Sequence, residues 1–134
     1  MSDGRYDDLR AIDEVVAVVE GANHGWPSCV DDNRAVIESG IDDPCAGVPN
    51  SQVLFQPGST PTGLAVAPWD PTQLVVALWV EQRLATISTD PAEAGTPAVL
   101  LSDAFQRPQH LVVDGDRLLV TDHEAGTIVA VTAN

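Results

Sequence analysis

The sequence predicts an all-β fold, a partial β-propeller of about two antiparallel blades with one long, cysteine-bracketed loop. Three observations predict it. From Val53 onward the chain is a series of short runs rich in Val, Leu, Ile and Thr, separated by Gly, Pro and Asp turns. A three-strand unit then recurs: Pro61-Thr62-Gly63-Leu64-Ala65-Val66-Ala67 reappears as Pro108-Gln109-His110-Leu111-Val112-Val113-Asp114, and the two following strands of each copy also match. A strand unit repeating every ~45 residues is the signature of propeller blades. Third, Cys29 and Cys45 enclose an acidic stretch with little periodicity.

Taken in order, the chain divides into four segments. Residues 1–20 are an acidic lead-in in which Tyr6, Leu9 and Ile12, three apart, suggest a helical turn. The lead-in ends in Glu14-Val15-Val16-Ala17-Val18-Val19, a β-branched run that reads as a strand buried on both faces. Residues 21–52 begin with the loop Gly21-Ala22-Asn23-His24-Gly25-Trp26-Pro27 and continue through the Cys-bracketed excursion, where Ala35-Val36-Ile37 suggests a short turn. Residues 53–101 form one blade and residues 102–134 a closing blade. The second copy lacks three residues in its first turn, where Pro68-Trp69-Asp70-Pro71-Thr72 gives way to Asp114-Gly115. Centring that hairpin on Asp114-Gly115 sets Arg107 opposite Asp122 and predicts an ion pair between them.

In an up-and-down blade, alternate turns lie on opposite ends. The stretches 79–83 and 121–125 therefore share an end with the lead-ins before Pro61 and Pro108, the end where propellers usually place sites. Trp26, held between glycines and a proline, either plugs a core or faces a ligand.

Composition narrows the function classes. The 134 residues fit one domain, and 44% of them are apolar, enough for a core. A formal net charge of −14, with arginine as the only strongly basic residue, argues against nucleic acid and anionic membranes as partners. No apolar run reaches the ~20 residues of a membrane span, and Met1-Ser2-Asp3-Gly4 lacks a signal-peptide pattern. A Cys29–Cys45 disulfide is the economical reading, contributing about 3 kcal/mol by closing its loop. Reduced thiols fit the missing signal peptide, and a metal has the weakest support, since no CxxC accompanies the pair.

His24, His110 and His123 show no metal spacing, and Asp122 beside His123 reads first as a loop Asp tying down its own turn. The acidic cluster Asp31, Asp32, Glu38, Asp42 and Asp43 lacks the EF-hand pattern and reads as a solvated loop. No Gly-x-Ser-x-Gly setting supports a serine hydrolase.

Gly21-Ala22-Asn23-His24-Gly25-Trp26-Pro27 resembles the Gly-x-Asn-Tyr-Gly-Trp-Pro signature of the soluble pyrroloquinoline-quinone-dependent glucose/sorbosone (aldose sugar) dehydrogenases. Pro57-Gly58-Ser59-Thr60-Pro61-Thr62-Gly63-Leu64-Ala65 is similar to a second segment of that family, and Arg107-Pro108 through Asp122 to Ile128 resembles its closing blade. The cysteine pair also resembles one that many members carry. The resemblance implies a six-bladed propeller of four-stranded blades, of which this chain matches the C-terminal third, and sugar oxidation with the quinone (PQQ) and calcium.

It further implies cofactor-binding roles for Trp26 and Arg107, and for Gln109 where the family has a second arginine. Substrate-binding roles fall on His24, which replaces the signature Tyr, and on Trp26. Gly58 stands where the family has histidine, and the chain has no lysine to match the family's cofactor lysine. The family's general base and calcium loop lie in earlier blades, so no catalytic residue or metal ligand is assigned here. The implied partners are a sugar-like small molecule and either the missing blades of a longer parent or further copies of the chain. The implied location is extracytoplasmic. A non-catalytic propeller module that recognises carbohydrate or protein is the alternative.

Overall fold

The computed structural model describes residues 5–7, 9, 10 and 12–133. Two antiparallel sheets dominate. The first runs β10-β9-β8-β7, from strands β7 (Pro61–Ala67), β8 (Asp70–Leu78), β9 (Arg83–Ser88) and β10 (Val99–Ser102). The second runs β11-β12-β13, from β11 (Pro108–Asp114), β12 (Arg117–Asp122) and β13 (Thr127–Thr132). Three two-stranded pairs complete the chain: β1 (Arg5–Tyr6) with β2 (Leu9–Arg10), β3 (Glu14–Val15) with β6 (Val53–Leu54), and β4 (Cys29–Val30) with β5 (Arg34–Ala35). The fold is all-β and antiparallel, and among the described residues no sheet closes on itself.

Alternation explains the layering. Along β8, Val75 and Ala77 point one way and Val76 and Leu78 the other, and all four are buried. Val75, Ala77 and Leu84 of the first sheet meet Leu111, Leu118 and Val120 of the second, with Phe105 completing that core. On the opposite face, Val76, Leu78, Ala85 and Ile87 pack on Val53 and Phe55, with Val15 beside them. The β3–β6 pair, the first sheet and the second sheet thus stand in a row, face against face.

The innermost strands touch. The Thr62 hydroxyl donates to the Pro108 carbonyl (3.0 Å), and a Cβ built on Gly63 would lie 2.6 Å from the Gln109 carbonyl oxygen. Backbone on both sides leaves no flexible group to give way. Gly63→Ala is therefore expected to destabilise by about 1–3 kcal/mol, as overpacking does, read as a lower urea midpoint with unchanged m-value.

Several expectations are corrected. Glu14–Val19 is not a buried strand: only Glu14–Val15 pair, because β6 offers just Val53 and Leu54 as partners, and Val18 is 87% exposed. Tyr6 and Leu9 are register partners across the paired strands β1 and β2, with Ile12 beyond them, rather than successive positions of a helical turn. The extra three residues of the first copy do not lengthen its turn. Ala67 pairs with Asp70 across Pro68-Trp69, and the surplus is absorbed as a bulge before Leu74 rejoins Val66. The Asp70 carboxylate pins that bulge by accepting from the Thr72 hydroxyl (2.6 Å) and N–H (2.9 Å), which together hold its pKa below the ordinary value.

Cys29 and Cys45 form a disulfide, with Cys29 buried at the base of the Trp26 loop. Within the enclosed excursion a 3₁₀ turn, Ile37–Ser39, follows β5. The carboxylates near it serve the chain. Asp7 accepts the N–H groups of Glu38 and Ile37, which lower its pKa, and Asp31 pairs with Arg34 and accepts the Ile12 N–H. With so little apolar packing in the excursion, replacing both cysteines by alanine should cost about 3 kcal/mol, measured by thermal or urea melts against the oxidised protein.

Candidate functional site

One end of the two sheets gathers Arg107, Trp79, His123 and Glu124, and the repeat itself builds it. The Trp79 N–H donates to the Thr60 carbonyl (3.0 Å), and at the corresponding place in the second copy the His123 N–H donates to the Arg107 carbonyl (2.9 Å). Each sheet thereby ties the turn after its second strand to the lead-in before its first. A buried carboxylate anchors each lead-in. Asp13 accepts the Thr60 N–H (2.8 Å), holding Thr60 at φ 57°, and Asp122 accepts the N–H groups of Gln106 and Arg107 (both 2.8 Å). Burial of Asp122 works against its charge, but those two N–H groups and that of Ala125 prevail and hold its pKa below the ordinary value.

Because the sheets stand face to face, these equivalent positions meet. The rings of Trp79 and His123 lie 5.3 Å apart, tilted by 48°. Arg107 joins them: its Nη1 donates to the Trp79 carbonyl (3.2 Å), its guanidinium carbon stands 6.0 Å from the Trp79 ring centroid, and its Nε lies 3.3 Å from Glu124. The result is a half-exposed cation beside an indole that also carries an imidazole neighbour. Such a cluster can hold a carboxylate or a hydroxyl-rich ring by forked hydrogen bonds and stacking.

The predicted Arg107–Asp122 ion pair is not formed. The hairpin turns at Gly115-Asp116, with Asp114 opposite Arg117, and Gly115 takes φ 63°, a conformation that favours glycine. A bulge at Gln109 then brings Pro108 opposite Asp122. Asp122 consequently meets the Arg107 backbone, leaving the guanidinium for Glu124.

The contacts of this cluster are made by Arg107 alone of the predicted site residues. Gln109 is exposed at the bulge, with its carbonyl against Gly63. Trp26 is 57% exposed, which excludes the core-plug reading, and a cis peptide bond joins it to Pro27. Its loop is folded by its own backbone: Gly25, at φ 87°, accepts from Ser28 and Cys29 and has no room for a Cβ, which would fall 2.8 Å from Cys29. His24 Nε2 accepts the Val19 N–H (3.3 Å).

Sequence reasoning passed over Trp79 and Glu124 and read His123 as an ordinary ring. Their signal was positional, since all three sit in the turns that the repeat assigns to one end. On the flank of the first sheet, a cleft of about 410 Å³ between Phe55, Pro57, Leu78 and Leu100 ends at the Glu81–Arg83 ion pair, where Glu81 also accepts from Ser59. Among the described residues no group of three or more His, Cys, Asp or Glu is placed to hold a metal, and no helix is long and apolar enough to cross a membrane.

No protein-family model, curated protein or solved structure matches the chain.

Proposed function

We propose that the chain is a C-terminal portion of a quinoprotein-type sugar dehydrogenase propeller, in which the Arg107 end contributes to a face for a flat, acidic cofactor and a sugar-like substrate. The observation that carries this reading is the Arg107 guanidinium set beside the Trp79 ring at the loop end of two stacked repeat sheets. Sheets that pack face to face and approach through their first strands are what blades radiating from an axis require.

The residues present suit part of the cofactor. Arg107 offers a forked donor for one carboxylate, and Trp79 offers a ring face. Glu124 must release Arg107 for this, but an exposed pair of that length contributes only about 0–1 kcal/mol, so the exchange is easy. Calcium is not suited by any described cluster, and no step is assigned to it. When bound, the quinone would accept the electrons removed from a sugar carbon; this chain's part is to bind and orient. Trp26, His24 and Gln109 are proposed to extend the same face within a complete ring, and the disulfide fits an oxidising, extracytoplasmic compartment.

The second reading, a non-catalytic propeller module for carbohydrate or protein recognition, is favoured by the Glu124 contact, which already partners the cation. Titrating pyrroloquinoline quinone, with and without calcium, while following tryptophan fluorescence and sugar oxidation, separates the two. The dehydrogenase reading expects quenching without turnover. Quenching by oligosaccharide and none by the quinone supports the recognition module.

A further inference from the structure

The cleft on the flank of the first sheet has an apolar floor and one polar end. Phe55, Leu78 and Ala85 form the floor, and all three are buried in the core between β6 and the first sheet. The cleft stays open because β6 is only two residues long, and Leu100 on β10, beyond its reach, is 53% exposed. Its volume of about 410 Å³ lies in the range of small-molecule sites. At the polar end all groups but one are committed. Glu81 accepts from the Ser59 hydroxyl through one oxygen and pairs with Arg83 Nη2 through the other. Arg83 Nε is buried and has no hydrogen-bond partner among the described residues. A buried donor left unpaired is costly, and an acceptor relieves it.

We propose that this cleft binds a small, uncharged, largely apolar carbonyl compound whose oxygen accepts from the Arg83 guanidinium. The floor favours hydrocarbon, and the orphaned Nε favours an acceptor. Charge disfavours the alternatives. A carboxylate would meet Glu81, already in contact with the same guanidinium, in a chain whose net charge is −14. A cation would meet Arg83 itself. Pure hydrocarbon would leave Nε unpaired and bury it more deeply. Because the Arg83 side chain is 41% exposed, a small rotation brings Nε to the ligand. The floor belongs to the face of the first sheet that turns away from the second sheet, so failure of quinone binding at Arg107 leaves the proposal intact.

Acetophenone is the probe, titrated into the isotopically labelled full chain while the methyl resonances of Leu78, Ala85 and Leu100 and the Arg83 Nε–H are followed. Saturable shifts are expected at all four. Ethylbenzene, with a methylene in place of the carbonyl, should move the methyls and leave the Nε–H unmoved. Benzoate should bind at least several-fold more weakly than acetophenone. Arg83→Lys keeps the charge beside Glu81 and removes the Nε donor; it should weaken acetophenone several-fold and leave ethylbenzene unchanged, a difference that isolates the hydrogen bond. Should that variant lose its folded circular dichroism spectrum, Ala98→Phe takes its place, narrowing the cleft from its rim, and should abolish the acetophenone shifts. No saturable shift with acetophenone, an Nε–H that ethylbenzene moves equally, tighter binding of benzoate, or a variant that treats the two neutral probes alike in Arg83→Lys or leaves the shifts in place in Ala98→Phe would each overturn the proposal.

Discussion

Replacing Asp122 by alanine is expected to destabilise the protein by about 2–3 kcal/mol, because it removes a buried carboxylate that two backbone N–H groups share. Its carboxylate is 3% exposed and binds the N–H groups of Gln106 and Arg107, the residues that deliver the chain into β11. The loss is larger than that of a surface ion pair, since the carboxylate is buried and both hydrogen bonds to it are charge-assisted. It also has a pH signature. A carboxyl whose folded pKa is depressed contributes its full stability above the unfolded value of about 3.9, and that contribution disappears as pH falls through the lower folded value. Urea melts of wild type should therefore lose stability below about pH 4, and the Asp122→Ala curve should lack that component. Parallel curves for the two proteins would show that Asp122 is not held as described.

Leu118→Ala is expected to cost about 2–5 kcal/mol, the range for emptying a buried leucine site. Leu118 is fully buried between the two sheets, against residues of both. The effect should reach the whole molecule. If the sheets form one cooperative unit, fluorescence and circular dichroism will report a single transition, shifted equally for both probes. Two separated transitions would mean that each sheet folds independently and that the face-to-face core contributes little.

The second sheet and most of the first were legible in the sequence because their information is local. Leu118-Leu119-Val120 and Ile128-Val129-Ala130 carry β-branched and apolar residues at strand spacing, and Gly115 and Gly126 mark the turns between. The repeat then assigned the turns to one end, as the Trp79–Thr60 and His123–Arg107 hydrogen bonds bear out. What depends on a distant partner was not legible. The Val15–Val19 run has strand propensity throughout, yet only Val15 finds a partner, and propensity cannot supply one. The position of the hairpin turn is equally silent in the sequence. At Gly115-Asp116 instead of Asp114-Gly115 it shifts the pairing by two residues, the bulge at Gln109 restores one, and Arg107 is left one residue out of line with Asp122 and beside Glu124. A one-residue change of register redirects a guanidinium, so the site's chemistry was harder to read than its location.

The binding face at Arg107 and Trp79 is tested most directly by mapping amide and indole chemical shifts while pyrroloquinoline quinone is added to isotopically labelled protein. The account predicts that the shifts concentrate on the Trp79 indole, Arg107, Gln109 and the His123–Gly126 turn, and that Arg107→Gln abolishes them. Shifts confined to the cleft at Phe55 and Leu100, or a response unchanged by Arg107→Gln, would contradict it.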